Sequence, residues 1–265
     1  DRCIFSCANQ SYNDIEILVV DDCGTDRSIE IARDWSEKDS RVRIIRNPHN
    51  LGTYHARRRG VETAKGKYIL FLDPDDTIAT NSAEAIFKNT SLSQIDILFY
   101  GTEKITEKHK RITSKKVHSI RIEEDLHSEF LADSPTQLGT AGKVYKREIL
   151  SKAFSALKVP ENERLIYGED AIILFGALIT SKNGSTINDF LYKYHINQNS
   201  ITNQNKNQDT QPKREQLEKA IRHIRNLASE ELTKGNPVAK QLSIHFIKIM
   251  KCDSLMLERH TKDAS

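Results

Sequence analysis

Several things are scarce in this sequence. Cys3, Cys7, Cys23 and Cys252 are its only cysteines in 265 residues. Cys3 and Cys7 sit one helical turn apart, but no second pair of ligands follows, so ordinary reduced thiols of a cytosolic protein are expected rather than a metal pair. Long apolar runs are missing too. The longest, AIILFGALI at 171–179, is too short for a bilayer-spanning helix. Nor is there an excess of one charge: 40 basic against 37 acidic residues leave +3, which gives no reason to expect a nucleic-acid partner. Hydrophobic residues make up 37%, below the usual share, so part of the chain is expected outside a compact core. The first residues lack the basic, apolar and small order of a signal peptide.

What is present alternates. IEILVV (15–20) and YILFL (68–72) are continuous apolar runs, as strands covered on both faces require, with VRII (42–45) and the mixed IDILFY (95–100) beside them. A helix is predicted over 26–38, with Ile29, Ala32 and Trp35 at helical spacing and Thr25 as cap. A second, over 53–64, puts Ala56, Gly60 and Ala64 four apart, a smooth face that can approach a sheet closely. Strands alternating with such helices predict an α/β fold with a mostly parallel sheet.

From about 101 the pattern loosens. KHKRITSKK (108–116) reads as a basic loop or edge hairpin with a solvated face, a short helix is expected over 123–132, and the apolar helix after Gly168 belongs in the core. NQNSITNQNKNQDTQP (197–212) has the composition of a linker. Helices follow over 213–233 and 237–259, parted by Gly235, Asn236 and Pro237. In the last, Leu242, Phe246, Ile249, Met250, Asp253 and Met256 approximate one stripe, which predicts packing on the main domain, with a homodimer or a membrane surface as alternatives.

The chemistry lies at two strand ends. ILVVDD closes on Asp21 and Asp22, and YILFLDPDD on Asp73, Asp75 and Asp76. The carboxyl ends of strands in an open α/β sheet face the ligand crevice. Five carboxylates there repel one another unless a cation joins them, and hard oxygen ligands suit Mg²⁺ or Mn²⁺ bridging to a substrate's phosphates. A plain Asp-Pro-Asp-Asp turn is the bland alternative. A phosphorelay receiver shares the acidic pair and the metal. It has no use for two further carboxylates after the accepting Asp, and leaves residues 140–202 without a role.

DIEILVVDDCGTDRSIEIA, NLGTYHARRRGVETAKGKYILFLDPDD, GKVYKREIL, YGEDAIILFGAL and YKYHINQNSIT, in that order over residues 1–202, resemble a family 2 glycosyltransferase of the GT-A fold. The resemblance implies roles by position. Asp21 or Asp22 would contact the uracil or ribose of a nucleotide-sugar, and Arg57 would face the nucleotide. Asp73 and Asp75 match the Asp-x-Asp motif, the first near the ribose and the second on the metal, with Asp76 in support. Glu169-Asp170 matches the Glu-Asp motif, whose Asp170 would be the catalytic base while Glu169 borders the donor. An acceptor hydroxyl needs such a base, and the leaving nucleoside diphosphate needs a cation. In-line attack with one base implies inversion. His195 falls beside the expected diphosphate, as a metal or phosphate ligand or as a structural histidine. The Gln-x-x-Arg-Trp motif of processive members is absent, so single-sugar transfer is implied.

The resemblance also has gaps. Residue 1 matches a point inside the family's first helix, so the family's first strand is missing from this sequence and a fragment of a longer protein is expected. Thr140, Ala141 and Gly142 stand where relatives often carry Trp and Asn before the Lys. The implied organisation is a nucleotide-sugar-binding half over 1–100, an acceptor-binding half over 101–202, and a linker with C-terminal helices over 203–265. The implied partners are a nucleotide-sugar, UDP-linked, and a glycan or lipid-linked glycan acceptor of a bacterial surface, with peripheral contact to the inner membrane from the cytoplasm. A sugar-nucleotide nucleotidyltransferase and a nucleotide-sugar-binding scaffold without turnover are the rival readings.

Overall fold

The structure is a computed structural model that describes residues 1–91, 94–106, 111–115, 127, 130–131, 138–196 and 210–263, with side chains left aside at 111–115 and 259–263. Most of the helix expected over 123–132, and the linker through residue 209, lie outside the described residues.

The chain opens with α1 (Arg2–Ala8) and β1 (Ile17–Asp21), followed by α2 (Ser28–Lys38), β2 (Val42–Arg46), α3 (Thr53–Thr63) and β3 (Tyr68–Leu70). After β4 (Thr77–Ile78) and α4 (Ser82–Thr90) come β5 (Ile97–Ile105), β6 (Arg111–Lys115) and β7 (Lys143–Lys146). Then follow α5 (Arg147–Leu157), α6 (Glu169–Thr180), β8 (Gly184–His195), α7 (Gln211–Thr233) and α8 (Val238–Asp263).

The α/β class stands, but the pairing is mixed rather than mostly parallel. β1 and β2 form a parallel pair of their own. The other six strands form one sheet in the order β3-β7-β5-β8-β4, with β6 on β5. Only β5 and β8 run parallel there; β3–β7, β5–β7, β5–β6 and β4–β8 are antiparallel. The basic segment is thus partly an edge strand. β5 crosses the expected boundary at residue 100, so the two halves share a sheet.

The polar residue that makes IDILFY mixed, Asp96, lies just before β5 and accepts the Lys182 N–H at 2.8 Å, while β5 itself is buried on both faces. Successive strand side chains point to opposite faces. Ile97 and Phe99 join the main core with Tyr145, whereas Leu98 and Tyr100 join a second cluster with Val144 and Tyr192. β1 and β3, expected to be covered on both faces, are only half-buried, and each pairs along one edge among the described residues.

Helix α6 is apolar all round because α5, α7 and α8 surround it. Gly176 permits the closest approach: a Cβ there would meet Leu157 Cδ1 of α5 at 3.1 Å. On α8, Ala239, Leu242, Phe246, Met250 and Leu257 are buried, so the helix packs on the main body. The expected stripe slips after Met250: Asp253 is exposed, and Met256 is 60% exposed while Leu257 takes the inward place. A seven-residue step from Met250 returns to the same face where a six-residue step does not. The cap of α2 also differs. Arg27 occupies the cap position, and Asp26 Oδ1 accepts the Ser28 N–H at 3.0 Å. Thr25 is not the cap.

Candidate active site

The two acidic strand ends serve different purposes. Asp22, just past β1, accepts the side-chain amide of Asn47 (2.8 Å) and the backbone N–H of Leu51 (2.9 Å) on Oδ1, and the N–H of Gly52 (2.8 Å) on Oδ2. Gly52 precedes α3, so Asp22 ties the strand end to the start of that helix. Asp21 accepts the Cys23 N–H at 2.9 Å and faces Arg46 at 3.4 Å. Both carboxylates shape the rim on which a base or ribose is expected.

The positive group among the remaining carboxylates is Arg57. Its guanidinium, 9% exposed, projects from α3. Nη2 donates to Asp73 Oδ1 at 3.0 Å, while Nη1 donates to Glu169 Oε1 at 3.0 Å and to Asp170 Oδ1. One residue therefore joins the end of β3 to the first turn of α6, 113 positions away. Burial works against its charge, but Asp170, Asp73 and Glu169 outweigh that and hold it protonated. Three carboxylates against one guanidinium leave an excess of negative charge. Burial, and then the neighbouring Asp170, push Glu169 up to about 7 against the opposing pull of Arg57. Burial likewise raises Asp73.

The Glu169 shift has a consequence for stability. A carboxyl whose folded pKa is raised contributes stability below its unfolded value, near 4.5, that is lost as pH rises through about 7. Glu169→Gln is expected to flatten the stability profile across that window and to be less penalised at pH 8. Urea denaturation at pH 4.5 and 8 checks this. A variant with the wild-type slope would contradict it.

Asp73 to Asp76 form the turn that the sequence suggested, closed by the Asp76 N–H on Asp73 O at 3.0 Å. Asp76 is fully buried and engaged on both oxygens: the Tyr192 hydroxyl donates to Oδ2 at 2.6 Å and the His195 N–H to Oδ1 at 2.8 Å. Burial raises its pKa to about 6 despite these bonds. His195 directs its backbone, not its ring, to Asp76, and its Nε2 lies 2.9 Å from Thr77 Oγ1. Asp76 thus anchors the acidic turn to β8. Asp76→Asn offers one acceptor to two donors and is expected to cost about 1–3 kcal/mol of stability, read as a lower urea midpoint. An unchanged midpoint would remove the anchoring role.

The expected metal ligands are therefore not brought into one set. Among the described residues no three His, Cys, Asp or Glu side chains form a metal cage, so Asp75, Asp76 and His195 do not converge. What fits a divalent cation is the pair Asp73 and Asp75. Asp73 is 43% exposed with Oδ1 on Arg57, and the Asp75 carboxylate has no hydrogen bond or ion pair among the described residues. Mg²⁺ and Mn²⁺ sites commonly use one or two carboxylates and take the rest of their ligands from phosphate and water.

Two residues at the site escaped the sequence reading. The Tyr192 hydroxyl accepts the Asp73 N–H at 3.3 Å while donating to Asp76, and Thr140 Oγ1 donates to Asp170 Oδ1 at 3.2 Å. Both lie in stretches quoted above for other reasons, and no spacing marks them. Behind Thr140, the buried Lys143 ammonium is held by Gly139 O at 2.7 Å and Ala141 O at 3.3 Å, and burial lowers its pKa to about 8. Asp170 Oδ1 is thus fixed by Arg57 and Thr140. Its Oδ2 makes no hydrogen bond among the described residues, and the side chain is 35% exposed. Cys3 and Cys7 are free thiols raised by burial to about 12 and about 11, which makes them poor nucleophiles and metal ligands.

Comparison with known proteins bears on the family and the fold. An uncharacterized glycosyltransferase of Haemophilus influenzae is 49% identical over 81 residues, covering 31% of this chain and 32% of that protein. The chain spans less than two thirds of the length of the curated relatives it matches first. The crystal structure of S. aureus TarS 1-349 in complex with UDP superposes with a TM-score of 0.66 at 18% identity, over 93% of this chain and 66% of that one. The mannosyltransferase PcManGT from Pyrobaculum calidifontis, in complex with GDP-Man and Mn²⁺, gives 0.56 at 13% identity, over 98% and 68%. These likenesses show the fold, that of the GT-A glycosyltransferases. The model of glycosyl transferase family 2 matches residues 1–154, more than half of the chain, and the protein belongs to that family.

Proposed function

We propose that the whole protein transfers one sugar, with inversion, from a nucleotide-sugar carrying UDP to a hydroxyl of a bacterial surface glycan such as capsule or lipooligosaccharide. The observation that carries this reading is the Arg57 bridge. It sets the donor-side carboxylate Asp73 and the Glu169–Asp170 pair at opposite sides of one guanidinium. UDP in the TarS complex and GDP-Man with Mn²⁺ in the mannosyltransferase complex support a nucleotide-sugar donor.

In this reading Asp21 and Asp22 border the base and ribose, and Asp73 and Asp75 hold Mg²⁺ or Mn²⁺. The cation would supply charge neutralisation to the departing diphosphate. Asp170, fixed through Oδ1, presents Oδ2 to the acceptor hydroxyl and removes its proton as the bond to the anomeric carbon forms. Glu169 and Arg57 keep that carboxylate in place. Asp76 and His195 hold the acidic turn against β8 rather than binding metal directly. No helix among the described residues is long and apolar enough to cross a membrane. A peripheral contact from the cytoplasm would fall to the outer face of α8, where Ile244, Leu255 and Met256 are exposed.

The test is release of UDP or GDP from a panel of nucleotide-sugars with Mn²⁺, followed by the anomeric configuration of the product by NMR. Consumption of a UDP-sugar with inversion is expected. Retention, or turnover that ignores acceptor and metal alike, would contradict the reading.

A further inference from the structure

The stretch that leads into Glu169 and Asp170 is gripped from two sides. On one, the Tyr54 N–H of α3 donates to Leu165 O at 3.2 Å, and His55 Nε2 lies 3.1 Å from Glu163 O. On the other stands α7, which lies wholly outside residues 1–154 that match the family model. Gln216 commits its entire side-chain amide to this stretch: Oε1 accepts the Ile166 N–H at 3.0 Å, and Nε2 donates to Arg164 O at 3.2 Å. Two turns along, Arg222 and His223 hold the Glu163 carboxylate at 2.8 and 2.9 Å.

The turn itself needs this support. Gly168 takes φ +81°, a left-handed conformation that glycine adopts without the cost other residues meet. A Cβ there would meet Ala220 Cβ and Leu217 Cδ2 of α7 at 3.2 Å and Met250 Cε of α8 at 3.3 Å. The next two residues are Glu169 and Asp170. The C-terminal helices therefore form the wall against which the turn carrying the expected base is pressed.

We propose that Gln216 is a positioning residue for the transfer reaction, pinning Arg164–Ile166 to α7 so that the turn at Gly168 delivers the Asp170 carboxylate to the acceptor hydroxyl. The proposal rests on the reading of Asp170 as base. A glutamine on a partly exposed helix face needs no protein partner to be stable. This one bonds both a donor and an acceptor of the backbone, as a neighbouring strand would. Without it, Ile166 N–H and Arg164 O turn to water, and the segment gains freedom four residues before Asp170.

Two readouts test it: amide hydrogen exchange over 164–170, and the rate of UDP release from UDP-N-acetylglucosamine with Mn²⁺. Gln216→Ala is expected to raise the exchange and to lower kcat about tenfold or more, since small misplacements of reacting groups cost one to two orders of magnitude. Donor KM, and UDP affinity by calorimetry, stay within about twofold because the donor side is untouched. Gln216→Glu keeps the acceptor for Ile166 but sets a carboxylate oxygen against Arg164 O, so it recovers only part of kcat. Ile224→Ala removes buried packing from the same helix and leaves these bonds in place, so it lowers Tm without lowering kcat beyond about twofold. A loss of kcat that follows Tm across all variants would overturn the proposal, as would raised exchange with unchanged kcat. Failure of the wild-type protein to release UDP or GDP from any nucleotide-sugar would overturn the functional reading together with it.

Discussion

An Asp170→Asn variant is expected to lose sugar transfer by about 10²- to 10⁴-fold, the usual contribution of a general base, while binding UDP with unchanged affinity. The substitution keeps the shape of the side chain. Its oxygen can still accept from Arg57 and Thr140, as Oδ1 does now. What disappears is the basic oxygen, Oδ2, which makes no hydrogen bond among the described residues. Stability is not expected to fall. The cluster has more carboxylates than the single guanidinium can balance, and removing one charge relieves that excess. UDP release with and without acceptor, beside calorimetry of UDP, separates the two effects. Full transfer by this variant would remove Asp170 as the base.

The second large effect concerns Arg57. Arg57→Met preserves much of the volume but strips the counter-charge from Asp73, Glu169 and Asp170. Breaking a buried ion pair from one side typically costs about 3–5 kcal/mol, because the partners keep their charge in a poor solvent. The sign with pH follows from the raised carboxyls. Glu169 and Asp73 are already shifted upward by burial, and without the guanidinium they rise further. The penalty should therefore be full at pH 8 and shrink toward pH 5, as Glu169 accepts a proton. Arg57→Lys should recover part of the stability but little activity. An ammonium is a point charge and cannot place two nitrogens on Asp73 and Asp170 at once. Equal urea midpoints for wild type and Arg57→Met at pH 8 would show that the bridge does not matter.

Much of the molecule was legible in its sequence because the signals are local. The 3.6-residue period found α2, α3, α7 and α8 to within a few residues, and the alternation of apolar runs found β1, β2 and β5. Asp73 and the Glu169-Asp170 pair, which the sequence singled out, meet at Arg57 in the candidate site. Other features depend on contacts far apart in the chain. An apolar run does not state the direction of its neighbour, so the expectation of a mostly parallel sheet does not cover the antiparallel ladder of β3, β7 and β5. The carboxylate spacing called for a cation but could not say that a residue of this chain, Arg57, already supplies one from 112 positions away from Glu169. Asp76, beside Asp75, reads from the sequence as a supporting metal ligand. The Tyr192 hydroxyl and the His195 N–H, 116 and 119 positions away, distinguish the two.

The most direct test of the account is calorimetry of UDP binding with and without Mn²⁺, on wild type and on Asp75→Asn. The account predicts metal-dependent binding that Asp75→Asn abolishes and Asp76→Asn leaves largely intact in the fraction that folds. Binding that is indifferent to Mn²⁺ and to Asp75 would contradict it, because Asp73 and Asp75 would then have no part in holding a metal and a diphosphate.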